Sequence, residues 1–221
     1  PMLLDLAAMA HERLDDEDRA IEAYERILKW EPAHEVASQQ LESLYWSRKQ
    51  WQPLGALLLD RASRHDDPQA GVTALESVAQ MYEDKVGDAH AAFLVWLAVF
   101  RRAPDRPNLV DQLDRLAPAA DAWDELLVEC RSLAEEIENQ HPSAAARVWR
   151  LVGQWTRDRM ANRDDAVRAL DRATRLDPND HETLAELHEL LRLDERWMEL
   201  VALLSARAET ERDRARRGEL Y

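Results

Sequence analysis

The residues best suited to chemistry in this 221-residue chain are an acidic run, two histidines and a single cysteine. The acidic run, Asp15 to Asp18, lies where a helical pattern breaks, so it is interpreted as a solvated turn or a helix cap, with a metal-binding loop as the alternative. His181 and His188 can share one face of a helix. A zinc site needs at least three protein ligands, and no third ligand lies nearby in the sequence, so a metal site is not expected there.

Cys130 is interpreted as a core residue rather than a nucleophile. When the internal copies of the chain are aligned, it takes the position held by Leu58 and Leu204. No Walker, HExxH, CxxC or GxSxG pattern occurs. The sequence therefore predicts no catalytic residue, no metal site and no cofactor, and a protein that is not an enzyme.

The composition predicts helices and excludes several classes of function. Ala, Leu, Glu and Arg dominate, and five glycines are too few for an all-β chain or a phosphate-binding loop. A formal net charge of −15 repels a phosphate backbone, so nucleic-acid binding is not expected. Only three of the 29 basic residues are lysines, which is typical of a GC-rich bacterial genome.

No segment predicts a membrane span or a secretory signal. The longest apolar run, Ala91 to Phe100, has ten residues, about half of what a spanning helix needs, and is interpreted as a buried helix. One cysteine excludes an internal disulfide and suits a reducing compartment. We therefore expect a cytoplasmic protein without membrane insertion.

The chain repeats itself at a fixed period. Shifts of 72 and 146 residues superpose equivalent positions, namely Ala20, Ala92 and Ala166; Tyr24, Trp96 and Leu170; Pro32, Pro104 and Pro178. Two further sets keep the same offsets, namely Trp51, Trp123 and Trp197, and Leu54, Leu126 and Leu200. A period of this kind predicts a solenoid, in which each repeat stacks on its neighbours.

Each period predicts two helical hairpins. In the first hairpin of each period, the second helix ends just before the recurring proline, because proline cannot continue a helix. An acidic residue near the preceding turn is expected to cap that helix or to favour its dipole, at Asp16, Asp88 and Asp164. In the other hairpins a tryptophan opens the second helix, and Pro53 in the first turn suits a helix start.

Features that recur in every copy are interpreted as structural, because stacking is what all copies share. This interpretation covers Trp51, Trp123 and Trp197. It also covers the charge pairs Glu12–Arg13, Asp84–Lys85 and Asp158–Arg159, for which ion pairs or solvated helix ends are favoured over a ligand clamp.

The pattern resembles the tetratricopeptide repeat, a helix–turn–helix of about 34 residues. In the first copy the resemblance rests on Leu4, Ala7, Ala8, Ala20, Tyr24, Ile27 and Pro32. It spans the whole chain as six degenerate repeats, and is most similar to segments of long bacterial proteins of this family. The sequence departs from the family pattern at Glu42, Gln80 and Gln154, where a small residue is typical, and at Arg157, where an aromatic one is.

The resemblance implies an all-α, right-handed α-solenoid that forms a single domain. The expected repeats cover approximately residues 1–34, 35–68, 69–106, 107–141, 142–180 and 181–213, with 214–221 as the start of a further helix. Neither end shows a polar capping repeat, so the chain is interpreted as a segment of a longer protein.

In this family the first helix of each pair lines the concave surface, so the resemblance implies that variable residues there bind a partner. The expected exposed positions are Met9, Gln39, Ser43, Trp46, Met81, Arg115, Trp155 and Arg192. Met, Trp and Arg are favoured in protein interfaces, which predicts a groove for a helix or an extended peptide near Trp46 or Trp155. The alternative is that these rings pack against neighbouring helices.

A second candidate contact lies on the convex face. In the third repeat, Leu94, Leu97 and Ala98 take the positions of charged residues in two other repeats. These are Glu22, Glu25 and Arg26 in the first repeat and Arg168, Asp171 and Arg172 in the fifth. An apolar face at these positions predicts a contact with a second copy or with another part of the same protein. The alternative is closer packing of the neighbouring helix near residues 118–124.

The sequence thus predicts a non-catalytic scaffold that binds another protein or a peptide, most simply in the concave groove. The alternative is a structural spacer or self-association module, with a homo-oligomer formed through the convex apolar patch.

Overall fold

The computed structural model describes residue 9, residues 16–64 and residues 67–218, with side chains up to residue 209. These residues are helical with short turns, and the helices fall into two compact units, Pro1–Ala122 and Trp123–Tyr221. The charge pair predicted at Glu12–Arg13 lies outside the described residues. The prediction of an all-α fold is confirmed.

Eleven helices span the part of the chain described from residue 16 onward. In unit 1 they are α1 (Glu17–Trp30), α2 (Glu35–Ser47), α3 (Trp51–Ser63), α4 (Pro68–Met81), α5 (Ala89–Arg102) and α6 (Leu109–Ala119). In unit 2 they are α7 (Trp123–Ile137), α8 (Pro142–Asp158), α9 (Arg163–Leu176), α10 (His181–Leu193) and α11 (Trp197–Gly218). Within each unit every helix packs on the next one along the chain.

The helices start and stop where the sequence predicts. α1, α5 and α9 end at Trp30, Arg102 and Leu176, each two residues before a proline. Asp16 and Asp88 accept hydrogen bonds from backbone amides of α1 and α5 at 3.2 and 2.9 Å, so both are N-caps. The cap of α9 is instead Asn162, while Asp164 lies in the first turn, where its charge favours the helix dipole.

One helix has an irregular end. α4 continues into a π-helical turn, Tyr82–Val86, and the chain then leaves through Gly87 at a φ of 71°. This left-handed conformation is open to glycine without the steric cost that a side chain brings. Asp84 and Lys85 of this turn line the groove described below, and Glu83 accepts a hydrogen bond from Trp96 of α5.

The positions that recur in the sequence form the core. Ala20, Ala92 and Ala166 are each 0 % exposed, and Tyr24, Trp96 and Leu170 are buried beside them. In unit 2, α8 and α9 approach so closely that a Cβ on Gly153 would lie 2.7 Å from Cγ of Leu170. The repeat period therefore marks the residues through which neighbouring helices touch.

Arginine–carboxylate pairs add a second type of contact, between residues about one repeat apart. Arg106 binds Glu76 through two hydrogen bonds of 2.7 and 2.9 Å, and Arg150 binds Glu186 at 2.7 Å. Further pairs are Arg172–Glu138 and Arg196–Asp164, both at 2.8 Å, so that the four pairs join residues 30 to 36 positions apart. Both residues of each pair belong to the same unit.

The three recurring tryptophans differ in environment. Trp51 and Trp123 are half-buried and contact a second indole, whereas Trp197 is 55 % exposed. The prediction of an equal structural role for all three is therefore wrong at Trp197. The difference follows from its place on α11, which has α10 as its packing neighbour along the chain and no described helix after it.

Candidate partner-binding groove

Unit 1 contains a groove of about 830 Å³ between α2, α3 and α4, extending to the start of α6. We call it the unit-1 groove. The first helices of two successive hairpins, α2 and α4, contribute Glu42 and Trp46 from one side and Glu76, Gln80 and Met81 from the other. The expected repeats put both helices on the partner-binding side.

Trp46 is the large apolar side chain that the groove offers to solvent. It is 50 % exposed, and its ring meets that of Trp51 edge-on at a centroid distance of 5.4 Å. This contact fixes one side of the indole against the start of α3 and leaves the other side open. A ring held in this way loses little conformational entropy when a partner covers it, which suits a binding anchor.

The inner wall of the groove is apolar and rigid. Leu58, Met81 and Trp96 line it, and Met81 and Trp96 are only 6 % and 8 % exposed. The indole Nε1 of Trp96 donates to Glu83 at 3.0 Å, which satisfies its one polar group. The wall is therefore pre-formed, with its single donor already engaged.

The charged residues of the groove are largely paired with each other. Arg61 donates to Glu42 at 2.6 Å, and Arg106 holds Glu76 from outside the groove. Asp84 accepts from Gln80 at 3.2 Å, and its neighbour Lys85 also lines the groove. The lining thus carries three carboxylates, Glu42, Glu76 and Asp84, against two cations, Arg61 and Lys85.

Departures from the family pattern supply several of these polar contacts. Glu42 binds Arg61 across α2 and α3, and Gln80 binds Asp84. In unit 2, Gln154 donates to both carboxylate oxygens of Glu186 at 2.8 and 3.0 Å. Polar side chains at these positions therefore add hydrogen bonds at sites where the family usually has a small residue.

The structure brings together two of the predicted concave residues, Trp46 and Met81, in the unit-1 groove. The exposure predicted for Met81 is wrong, because it forms part of the buried wall. Gln39 and Ser43 are exposed on α2, and Gln39 lines a separate pocket of about 380 Å³. Met9 is 48 % exposed, and Arg115 is exposed but bonded to Glu83 and Gln112.

Two predicted concave residues lie in unit 2. The exposure predicted for Trp155 is wrong: it is 5 % exposed and packs on Trp123 at a centroid distance of 6.2 Å, so the alternative of ring packing applies to it. The guanidinium of Arg159 lies over the ring of Trp123, with its carbon 5.7 Å from the ring centroid. Arg192 is exposed and binds Glu189 of its own helix at 2.6 and 2.9 Å.

The predicted convex patch is smaller than expected. Leu94 is 40 % exposed, but Leu97 is 5 % exposed, so the exposure predicted for Leu97 is wrong. Ala98 is half-buried. Leu97 is part of the buried apolar surface of α5, which packs against both α4 and α6. A contact through Leu94 stays a prediction.

The acidic run serves as a helix start in its described part. Asp16 caps α1, Glu17 and Asp18 lie in the first turn, and Arg48, directly after α2, pairs with Asp18. Among the described residues, no cluster of His, Cys, Asp and Glu is arranged to hold a metal ion. His181 begins α10 with Nδ1 3.4 Å from Nη2 of Arg207. None of the helices in the described ranges is both long and apolar enough to cross a membrane.

Cys130 is 0 % exposed, as predicted for a core position. Burial, with a smaller contribution from Glu129, raises the pKa of its thiol to about 12. Because only the thiolate reacts, we expect iodoacetamide at pH 8 to alkylate the folded chain at least ~100-fold more slowly than the chain in denaturant. Intact mass spectrometry over time measures this ratio, and equal rates in the two states would contradict the burial of Cys130.

Helices that pack in sequence order, with a short helix–turn–helix unit repeated along the chain, define a helical-repeat protein. A family model described as "Tetratricopeptide repeat" matches residues 3–34, the first predicted repeat. This match confirms the resemblance inferred from the sequence.

Solved structures with a similar arrangement include three with low sequence identity. A thermophilic tetratricopeptide repeat protein of Thermus thermophilus is 17 % identical over 86 % of this chain and 97 % of its own, with a TM-score of 0.37. BtubC (BKLC) of P. vanneervenii is 15 % identical over 97 % of this chain and 93 % of its own, with a TM-score of 0.42. The TPR2AB domain of yeast Sti1, solved as a complex with pHSP90, is 15 % identical over 98 % of this chain and 94 % of its own, with a TM-score of 0.30. The comparison with curated proteins gave no significant match.

Proposed function

We propose that the chain is a scaffold that binds a segment of a partner protein in the unit-1 groove, with Trp46 as the apolar anchor. Tetratricopeptide repeats are in general protein-interaction modules. The observation that carries this proposal is the half-exposed Trp46, supported from behind by Trp51 and placed at the edge of a groove with a buried apolar wall. Exposed aromatic rings beside such walls are typical binding hot spots.

The charges favour a particular type of partner. The chain carries a net charge of −15, and the groove lining itself has one more carboxylate than cations. A basic segment is therefore attracted at long range, and this attraction weakens as salt is added. The proposed ligand is a segment with one bulky apolar side chain, placed over Trp46 and Leu58, and with basic residues beside it.

The test is a selection of short displayed peptides on the immobilised chain, followed by affinity measurements on the enriched sequences. We expect Trp46→Ala to weaken binding by about 30-fold, the effect of losing a hot spot worth about 2 kcal/mol. The matched control is Trp30→Ala, because Trp30 is 85 % exposed at the end of α1 and does not line the groove. Circular dichroism confirms that both variants keep their helices.

The proposal fails if the selected peptides bind the Trp46→Ala variant as tightly as the parent chain, since the groove would then not be their site. It also fails if no sequence is enriched above background. Enrichment of acidic rather than basic peptides would contradict the electrostatic part of the proposal alone.

A second candidate function, self-association, has one specific observation in its favour. Large apolar side chains are exposed on α11 in unit 2, at a distance along the chain from the groove residues. This surface shares no residue with the unit-1 groove.

A further inference from the structure

Unit 2 contains a pocket of about 560 Å³ between α9, α10 and α11, which we call the unit-2 pocket. Its floor is apolar, formed by Val167 of α9 and by Leu187 and Leu191 of α10, and all three residues are buried. The volume lies in the range of about 300–1,000 Å³ that is usual for ligand sites. The pocket shares no residue with the unit-1 groove.

In the first copy of the repeat, a side chain of the protein itself bridges the equivalent helices. By the shift of 146 residues, Tyr45 of α2 corresponds to Leu191 of α10, and Glu25 of α1 corresponds to Asp171 of α9. Tyr45 is buried, and its hydroxyl donates to Glu25 at 2.5 Å. A phenol ring therefore spans the distance between α2 and α1 and ends on a carboxylate.

The other copies differ at these two positions. In the third copy the residue that corresponds to Asp171 is Leu97, which is buried, and the one that corresponds to Leu191 is Ala117. In unit 2, Leu191 is too short to span the gap as Tyr45 does, while the carboxylate of Asp171 is kept and lines the pocket. The unit-2 pocket thus has the acceptor of the first copy without its phenol ring.

The pocket lies on a face that stays exposed when another helix follows. The wall that α11 contributes includes Ala202 and Ala206. α3 and α7 carry the equivalent positions, and each of them packs on the helix that comes next, α4 and α8. The equivalent residues are nevertheless all exposed, namely Ala56 and Asp60 on α3 and Val128 and Ser132 on α7. A helix packed after α11 in the same way leaves the pocket open.

Asp171 can accept a hydrogen bond from a ligand hydroxyl. Arg175, one turn later on the same helix, pairs with its Oδ2 at 2.9 Å. A carboxylate has two oxygens with about four acceptor sites, so this pair leaves it able to accept from a phenol as well. A hydrogen bond to an ionised acceptor is stronger than one between neutral groups, which makes the hydroxyl a source of specificity.

The rim of the pocket is rich in arginine. The lining contains two carboxylates, Asp171 and Glu199, against four arginines, namely Arg168, Arg175, Arg196 and Arg207. Outside the lining, Asp165 pairs with Arg168 and Asp164 pairs with Arg196. Even with these two included the region is neutral, in a chain whose net charge is −15. Exposed ion pairs are weak, so carboxylates of a partner can share the guanidinium donors.

We propose that the unit-2 pocket binds a tyrosine side chain of an acidic partner segment. The ring lies on Leu187 and Leu191, the hydroxyl donates to Asp171, and neighbouring carboxylates of the segment pair with the rim arginines. The partner thus makes from outside the contact that Tyr45 makes within the first copy. This inference goes beyond the proposed groove function, because it concerns unit 2 and a ligand of the opposite charge.

The test is isothermal titration calorimetry of the chain with a short synthetic peptide that has one tyrosine between acidic residues. We expect saturable binding, and about tenfold weaker binding of the same peptide with phenylalanine, because the hydrogen bond to the carboxylate is lost. Asp171→Ala is expected to abolish this difference between the two peptides. Trp46→Ala, in the unit-1 groove, is expected to bind the tyrosine peptide like the parent chain, so failure of one proposal is distinguishable from failure of the other.

A variant that fills the pocket tests its location. Leu191→Tyr introduces the residue type of the first copy, and the new ring is expected to weaken peptide binding by about tenfold or more while helicity and the unfolding midpoint are kept. The matched control is Leu193→Tyr, which adds the same ring to the same helix at a position that is 58 % exposed and outside the pocket. We expect this control to bind the peptide like the parent chain.

Three results would overturn the proposal. The parent chain could show no binding of the tyrosine peptide up to about 1 mM, or could bind the tyrosine and phenylalanine peptides equally. The Leu191→Tyr variant could also bind as tightly as the parent while its helicity is intact. If that variant does not fold, Asp171→Ala decides, since Asp171 is only half-buried. An unchanged preference for tyrosine in Asp171→Ala contradicts the proposal in the same way.

Discussion

Replacing Trp155 by alanine is expected to lower the free energy of unfolding of unit 2 by about 3–5 kcal/mol, the usual cost of deleting a buried indole. The ring is 5 % exposed, packs on Trp123 at 6.2 Å, and Trp123 in turn lies under the guanidinium of Arg159. Truncation leaves a cavity between α7 and α8 and removes one side of an aromatic–cation stack.

Urea unfolding followed by far-ultraviolet circular dichroism measures this loss. The matched control is Trp30→Ala, which removes the same side chain from a position that is 85 % exposed and is expected to change stability by less than about 0.5 kcal/mol. If the two variants had the same unfolding midpoint, Trp155 would be an exposed residue after all. The concave role predicted from the sequence would then return.

The second large effect is expected at Leu97. Leu97→Asp buries an unpaired carboxylate beside Phe93 and Phe100, both 0 % exposed, and is expected to cost at least about 3 kcal/mol or to prevent folding of unit 1. Leu94→Asp, three residues earlier on the same helix, keeps its carboxylate in contact with water at a position that is 40 % exposed. We expect this variant to cost less than about 1 kcal/mol.

Thermal unfolding of the two variants side by side shows whether Leu97 is buried between α5 and its neighbours or faces solvent. A large difference supports closure of α5 by its neighbours α4 and α6. Equal and small losses for both substitutions would instead show that Leu97 faces solvent, as a convex contact patch requires. Both variants replace a leucine of the same helix by aspartate, so the change in helix propensity is the same in the two and cancels in the comparison.

The sequence predicts which residues touch between neighbouring repeats better than it predicts how completely each is covered. Ala20, Ala92 and Ala166 recur because two helices cross at that point in every copy, so the period itself carries the information. Trp155 and Leu97 do not recur. Their burial depends on side chains from two different neighbours, Trp123 in one case and the helices α4 and α6 in the other.

The candidate site was predictable in part. Trp46 is half exposed as predicted, on the side of α2 that lines the unit-1 groove, although its ring also contacts the recurring Trp51. The ion pairs that shape the groove were not predictable, since Arg61 and Glu42 meet through particular side-chain rotamers rather than through a periodic pattern. The exposure of Leu204 on α11 was not predictable from the alignment of the copies, since Leu204 aligns with Cys130, which is fully buried on α7.

The arginine–carboxylate pairs between residues about one repeat apart have a consequence for how the chain folds while it is being synthesised. Pairs such as Arg106–Glu76 and Arg196–Asp164 join residues only 30 and 32 positions apart, and each helix packs on the next within its unit. Contacts of such short range close quickly, because little loop entropy is lost. A chain emerging from the ribosome can therefore complete one repeat while the next is still being made, and its unsatisfied apolar surface stays confined to the newest helix.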